Sequence, residues 1–425
     1  MKIKQIDSLE VLDSRGKPTL CTTVYLEDGS RGTALVPSGA SAGSFEAHEL
    51  RDGDKSRYFG FGTLNAVKQV KDISNHLIGL ESNDQNKIDN LLIDIDDTKN
   101  KEKIGANSIL SISLACTRAS ANSLNISLYE YINILFNNSA SKKTRFSMPR
   151  PMLNILNGGA HANNNIDIQE FMVIPSDKFS FKDGLRKATE VYMHLKENLA
   201  KKNLSTTVGD EGGFAPNFES NQFVIEEIIK SIEGIGMKYG DDIFLGLDCA
   251  SSELYKKETY QMKSEGNEFN SDEIIEYLIN LVNKYQILSI EDPLDESDWN
   301  GWKKFSEKAN DLQIVGDDIF VTKKELLEKG IAEKVANSIL IKPNQVGTLT
   351  ETLQTIDLAK SNNYGTIISH RSGETEDTFI SDLAVGVDAK QIKTGAPARS
   401  DRTAKYNRLL MIENELYPWI LQEVQ

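Results

Sequence analysis

The sequence predicts an α/β protein in which a small α+β unit precedes a β/α barrel. Two stretches predict it. Residues 1–36 alternate apolar and polar residues in short pieces, broken by turn residues at Ser14–Gly16 and Asp28–Gly29; apolar residues at helical spacing follow from about residue 62 to 134. Strands followed by helices are the mark of an α+β unit. After residue 240, short β-branched runs recur, and each ends in a polar functional group. They are IFLGLD at Asp248, ILSIE at Glu291, QIVGDD at Asp317, SILIK at Lys342, TIISHR at His370 and Arg371, and QIK at Lys393. From Glu291 onward these ends lie 23 to 28 residues apart, with helical segments between them. That spacing suits one buried strand, one helix and two loops, repeated in a parallel sheet.

Each element follows from its local chemistry. The first 36 residues supply two or three antiparallel strands, and a Gly/Ser loop, PSGASAGS, follows at Pro37–Ser44. The helical stretch Asn107–Leu124 is rich in Ala and Ser, which allows close helix approach. The polar run Glu81–Lys103 reads as solvated helix surface and loop. A small-residue polar run, FNNSASKKTRFS, begins near residue 136 and marks a boundary, giving expected domains of 1–138 and 139–425. The longer gap between Asp248 and Glu291 is assigned to the polar insert KKETYQMKSEGNEF. In TKKELLEKG, Thr322 and Glu325 fit a capping box and Gly330 a C′ position.

Composition narrows the function. The chain has 425 residues, 39% hydrophobic and 26% charged, with a formal net charge of −15. An excess of acid this large argues against general binding to nucleic acid or anionic membranes. An anionic substrate would need a local cluster of cations or metal ions. The 3 cysteines, Cys21, Cys116 and Cys249, are widely spaced, which disfavours a disulfide framework or zinc ribbon. The opening MKIKQIDSLE lacks an apolar signal core, and no apolar run is long enough for a membrane span. The expectation is a soluble, cytoplasmic protein.

In a β/α barrel the C-terminal strand ends meet at one mouth. Asp248, Glu291 and Asp317 would then present three hard oxygen ligands suited to Mg²⁺. Lys342 and Lys393 would share that mouth. A lysine beside another cation and metal ions has its ammonium disfavoured, so one could serve as a base. His370, Arg371 and Ser372 open SHRSGETED, where an Arg fork and Gly-flanked amides suit phosphate. Taken alone, GDEGGFAP with Glu211 and NGGAHANNNIDIQEF with His161, Gln169 and Glu170 carry less. Cys249, next to Asp248 on a strand, should point to the opposite side.

These residues stand in segments that resemble the enolase family along nearly the whole chain. They include LDSRGKPT, VPSGASAGS, ELRDGDKSRY, LNILNGGAHANNN, VGDEGGFAPN, SIEDPLDESDW, ILIKPNQVGTLTET, SHRSGETEDTFI and QIKTGAPARSDRTAKYNRLL. The resemblance implies an N-terminal α+β domain with a three-stranded antiparallel sheet, and an enolase-type modified TIM (β/α)8 barrel. It implies the glycolytic hydro-lyase reaction, 2-phosphoglycerate to phosphoenolpyruvate and water. It further implies Lys342 as the base at C2 and Glu211 as the acid toward the 3-hydroxyl. Asp248, Glu291 and Asp317 would bind the first Mg²⁺, and Ser41 would help complete a second Mg²⁺ site that arrives with substrate. Lys393 would meet the substrate carboxylate, and Arg371 and Ser372 the phosphate. Gln169 would contact substrate, Glu170 would support Glu211, and His161 and His370 would line the pocket. The family also implies a homo-oligomer, dimer or octamer. Some of its members act at cell surfaces or in RNA-processing assemblies.

The chain departs from the family at Ala42, where Thr is usual, and at His48, where Leu is usual. Two other readings stay open. One is a superfamily racemase or cycloisomerase acting on an unphosphorylated acid, which the phosphate turn and the VGDEGG acid disfavour. The other is a binding or structural protein on the same scaffold, which the intact catalytic set disfavours.

Overall fold

In the computed structural model, which describes residues 1–39, 43–137, 146–309 and 311–418, the chain opens with strands β1 (Ile3–Leu12), β2 (Pro18–Leu26) and β3 (Arg31–Leu35). They pair antiparallel in the order β1-β2-β3. Helices α1 (Leu64–Leu77), α2 (Gln85–Asp96), α3 (Ala106–Ser123) and α4 (Leu128–Asn137) pack on this sheet and on one another. Helix α3 is buried nearly all round, and its small residues are the reason. A Cβ on Gly32 of β3 would stand 2.2 Å from the backbone nitrogen of Ala119, so only glycine permits this approach of sheet to helix. The buried hydroxyls of α3 find partners: Thr22 donates to Ser111 (2.7 Å) and Ser108 to the Ala66 carbonyl (3.2 Å).

The second unit begins with β4 (Arg150–Asn157) and β5 (Glu170–Pro175), continues through α5 (Phe181–Lys201) and α6 (Asn221–Glu233) to β6 (Ile243–Asp248), and then reaches α7 (Ser251–Leu254). A small antiparallel sheet, β7 (Tyr255–Lys256), β8 (Thr259–Met262) and β9 (Asn267–Phe269), is the insert that lengthens the gap after Asp248. The repeat then runs α8 (Ser271–Tyr285), β10 (Ser289–Glu291), α9 (Trp299–Lys308), β11 (Gln313–Gly316), α10 (Lys324–Glu333) and β12 (Ser338–Ile341). It closes with α11 (Pro343–Val346), α12 (Leu349–Ser361), β13 (Gly365–Ser369), α13 (Phe379–Gly386), β14 (Gln391–Lys393) and α14 (Ser400–Leu416).

Strands β4, β5, β6 and β10 to β14 close into an eight-stranded barrel in chain order. All neighbours are parallel except β5, which runs antiparallel to both β4 and β6. Because β5 is reversed, its first residue, Glu170, lies at the rim where the other strands end: it pairs with Asp248, and Asp248 pairs with Glu291. The barrel interior is plugged by Met152, Met172, Ile174, Val315, Leu340 and Ile367. Cys249 is buried in the larger core outside that plug.

Three local expectations are corrected. Thr322 caps nothing. Helix α10 starts after Lys323, and the Thr322 hydroxyl instead donates to the Gln345 side chain. Gly330 lies inside α10, where Phe320 leaves no room for a side chain. The run Glu81–Lys103 is also not all solvated: Asp89 and Asp96 are buried and hydrogen-bonded, Asp89 to Thr350 of the barrel. The expected domain boundary at 138 falls within residues 138–145, outside the described residues.

Candidate active site

A small cavity, about 50 Å³, opens at the C-terminal mouth of the barrel. Asp248, Asp317, Lys342, His370, Arg371, Ser372 and Lys393 line it from the strand ends, Glu170 from the start of β5, and His161, Gln169 and Glu211 from the flanking loops. Glu291 sits just behind the wall in contact with Lys393. Ser41 lies outside the described residues.

One arc of the rim is acidic. Asp248, Glu291 and Asp317 come from β6, β10 and the residue after β11, three adjacent strands. The Lys393 ammonium reaches across the mouth and donates to Asp248 (2.8 Å) and to both Glu291 oxygens (2.9 Å each), and stands 3.2 Å from Glu170. Lys342 is paired with Asp317. Asp292 and Asp318 add two carboxylates to this arc, and Asp292, Asp317 and Asp318 offer oxygens within 4.8 Å of one another. Asp292 accepts from the backbone nitrogens of Asp317 (2.9 Å) and Asp318 (2.8 Å), which shapes the end of β11.

The electrostatics follow from burying this much negative charge. Burial and the neighbouring Asp248 hold Glu291 well above the ordinary carboxylate range, although Lys393 pulls it down. Burial and Asp318 do the same to Asp292. Asp318 is pushed up to about 8 by burial and by Asp317. Burial opposes the Lys342 ammonium, but Asp317 outweighs it and the pKa rises. The base-like lysine expected from sequence is therefore held as an ammonium here, because its nearest neighbour is an anion. Lys393 is raised further: burial disfavours its charge, but Asp248, Glu170 and Glu291 overcome that. Five acids facing two lysines leave an excess of hard oxygen donors, and carboxylates that hold protons against their usual preference. That donor set fits a divalent cation such as Mg²⁺.

Across the mouth lies a second cluster. Glu211 accepts from the Asn154 amide (2.9 Å) and has His370 Nε2 at 3.3 Å and His161 Nδ1 at 3.6 Å. His161, Glu170 and Glu211 present atoms within 4.8 Å of one another. Glu170 is held well above the usual carboxylate range by burial and by Glu211. Burial pushes Glu211 the same way, but His161, His370 and Arg402 outweigh it and its pKa falls well below. Two carboxyls this close disfavour double ionisation, and of the pair it is Glu170 whose pKa is held up and Glu211 whose pKa is held down.

The third wall follows β13. Arg402, fully buried, donates to His370 Nδ1 (2.5 Å) and to the carbonyls of Arg371 (2.6 Å), Ser372 (2.6 Å) and Asp210 (3.1 Å). An arginine only donates, so His370 Nδ1 must accept and Nε2 carries the hydrogen toward Glu211. Burial and then Arg402 lower the His370 pKa to about 3, so the ring is neutral. The Arg371 fork meets the Glu46 carboxylate at 2.9 and 3.1 Å.

Backbone strain marks the same region. Val321 (φ 41°) and Thr322 (φ 57°) are consecutive β-branched residues in the left-handed region, both fully buried beside the acidic arc. Thr322 donates to the Gln345 carbonyl oxygen (2.7 Å), so the Gln345 amide faces Asp317 (3.0 Å) and Glu46 (3.2 Å).

Sequence reasoning did not single out Asn154, Arg402, Glu46, Gln345, Asp292 or Asp318. Asp318 and Asp292 adjoin named acids in GDD and IEDP, which was the available signal. Arg402 and Gln345 stand inside quoted motifs, but nothing local shows that they turn back toward the mouth.

The comparisons agree with this architecture. The family described as Enolase, N-terminal domain matches residues 3–132, and that described as Enolase, C-terminal TIM barrel domain matches residues 145–419. Matches of that extent, on a three-stranded sheet with helices and a closed eight-stranded barrel, support an enolase-type lyase. The chain belongs to the enolase family.

Proposed function

We propose that the protein dehydrates 2-phosphoglycerate to phosphoenolpyruvate and water, reversibly and with Mg²⁺. The observation that carries this is the placement of base and acid. Lys342 follows β12, and Glu170 begins β5, the strand diametrically opposite in the eight-membered ring. A base and an acid on opposite sides of the substrate suit an anti elimination, in which the proton leaves one face and the oxygen the other.

In this reading Lys342 leaves Asp317, gives its ammonium proton to solvent, and as the neutral amine takes the C2 proton. Lys393 faces the substrate carboxylate, whose charge grows as the proton leaves. The Glu170–Glu211 pair holds one proton, which moves to Glu211 for delivery to the departing 3-hydroxyl. Neutral His370 directs its Nε2–H at Glu211 and keeps the pair ordered. Gln169 and His161 line the wall beside it. Arg371 and Ser372 hold the phosphate. Asp248, Glu291 and Asp317 would hold Mg²⁺, which supplies positive charge to the doubly ionised carboxylate. The same reading carries a second Mg²⁺ arriving with substrate and a homo-oligomer. Among the described residues no helix is long and apolar enough to cross a membrane.

The test is a coupled assay for phosphoenolpyruvate from 2-phosphoglycerate. Turnover should stop with chelator and return with Mg²⁺. Lys342→Ala should lose exchange of the C2 proton with solvent deuterium, by 10²-fold or more on the order expected for general-base loss, whereas Glu211→Gln should block dehydration and keep some exchange. Turnover of unphosphorylated acids instead would point to a different member of the superfamily. Full activity in chelator would remove the acidic arc from the mechanism.

A further inference from the structure

The fork assigned to the substrate phosphate is already filled by the chain itself. Arg371 Nη1 donates to one Glu46 oxygen (2.9 Å) and Nη2 to the other (3.1 Å), the two-point geometry that an arginine also offers phosphate. Both side chains are nearly buried, 5% and 8% exposed. Glu46 is not there by chance of one contact. The Gln345 amide (3.2 Å) and the Gly43 backbone nitrogen (3.3 Å) also donate to it, and Asn344 accepts from the same Arg371 nitrogen at 3.1 Å. Gln345 is in turn oriented by strained Thr322 and bonded to Asp317.

We propose that Glu46 sets the anion specificity of this subsite: its carboxylate competes with the incoming ligand for Arg371, and only a doubly charged anion displaces it. The inference rests on the reading of Arg371 as the phosphate residue. A tethered carboxylate acts at high effective concentration and loses no translational freedom on binding. A free monoanion offers Arg371 the same charge as Glu46 without that advantage, so it loses. A dianion brings about twice the Coulomb attraction and wins. Glu46 thus makes Arg371 unavailable to the abundant monoanionic carboxylates and open to phosphate esters.

Sulfate and methanesulfonate test this, because they present the same tetrahedral head with two charges and one. Binding of each to the Mg²⁺-loaded protein is measured by calorimetry. The wild-type protein should bind sulfate and show no measurable binding of methanesulfonate. Glu46→Gln should bind sulfate about tenfold more tightly and bring methanesulfonate into the measurable range. Glu46→Asp, which keeps the charge on a shorter arm, should fall between. Equal wild-type affinity for the two anions overturns the proposal without any variant, and so does a Glu46→Gln protein, folded by circular dichroism, whose sulfate affinity is unchanged or weaker. Arg371→Gln should abolish sulfate binding in either background. Sulfate binding needs no turnover. If 2-phosphoglycerate is not a substrate but the anion pattern holds, only the functional reading falls. If it is turned over and the pattern fails, only this inference falls.

Discussion

His370 shows how far one side chain is decided by its neighbours. Sequence placed it at a strand end beside an arginine, and nothing in SHRSGETED distinguishes an imidazole from an imidazolium. Arg402, 32 residues downstream, settles it by donating to Nδ1. Burial first, then that arginine, bring the pKa from an ordinary 6.5 to about 3. The unfolded chain therefore binds a proton near pH 6.5 that the folded chain refuses until about 3. Stability is complete above the upper value and declines as pH falls through the window, because the unfolded state holds more protons there. The loss is on the order of a few kcal/mol. Urea midpoints between pH 7 and 4 should fall less steeply for His370→Gln than for the wild type, and parallel curves would show that this ring is not the group responsible. Glu46 makes a similar point. Its role beside Arg371 spans 325 residues of sequence and has no local signature.

Elements carry more of their own information. The six strand ends read from sequence are all found at the barrel mouth, since short β-branched runs ending in one polar residue leave few alternatives in a closed parallel sheet. The reversed strand β5 was not foreseen. Direction in a sheet is set by how the chain returns, and a 12-residue connection from β4 brings it back beside its own start. Glu170 owes its place at the rim to that reversal. The TKKELLEKG helix was found, but its cap was misjudged. Thr322 is held in a left-handed conformation and its hydroxyl is used by Gln345, so it cannot fold back on the helix. Gly330 follows from the same packing. An interior helical glycine replaced by alanine usually gains about 1 kcal/mol. Here the added Cβ would stand 2.5 Å from the Phe320 ring. Gly330→Ala should instead lower stability by roughly 1–3 kcal/mol, read from the shift of the denaturation midpoint, and a stabilised variant would contradict the packing described.

At the scale of the whole molecule, the two units are joined through buried polar contacts as well as apolar ones. Asp377 of the barrel takes Arg118 of α3 at 2.5 and 2.7 Å and the backbone of Leu35 at 2.9 Å. Asp89 of α2, fully buried, accepts from the backbone nitrogen (2.9 Å) and hydroxyl (2.6 Å) of Thr350 in the first turn of α12, and from Gln85 (3.0 Å). Burial raises its pKa while these donors pull it back. Asp89→Ala would take the acceptor from the buried Thr350 amide and hydroxyl, at a cost of about 2 kcal/mol. A lower urea midpoint with little loss of specific activity at 25 °C is the expected result. An unchanged midpoint would mean that the clasp contributes nothing.

The sequence alone determined the class of fold, the barrel rhythm and most of the chemistry-bearing residues at the mouth, because strand length, β-branching and a polar terminus are local properties repeated along the chain. Tertiary structure decided what those groups do to one another. The opposed shifts of Glu170 and Glu211, the charge on Lys342, the tautomer of His370 and the occupant of the Arg371 fork all depend on groups brought within a few ångströms from distant parts of the chain. Electrostatic energy follows distance in space and burial, and neither can be read from separation in sequence.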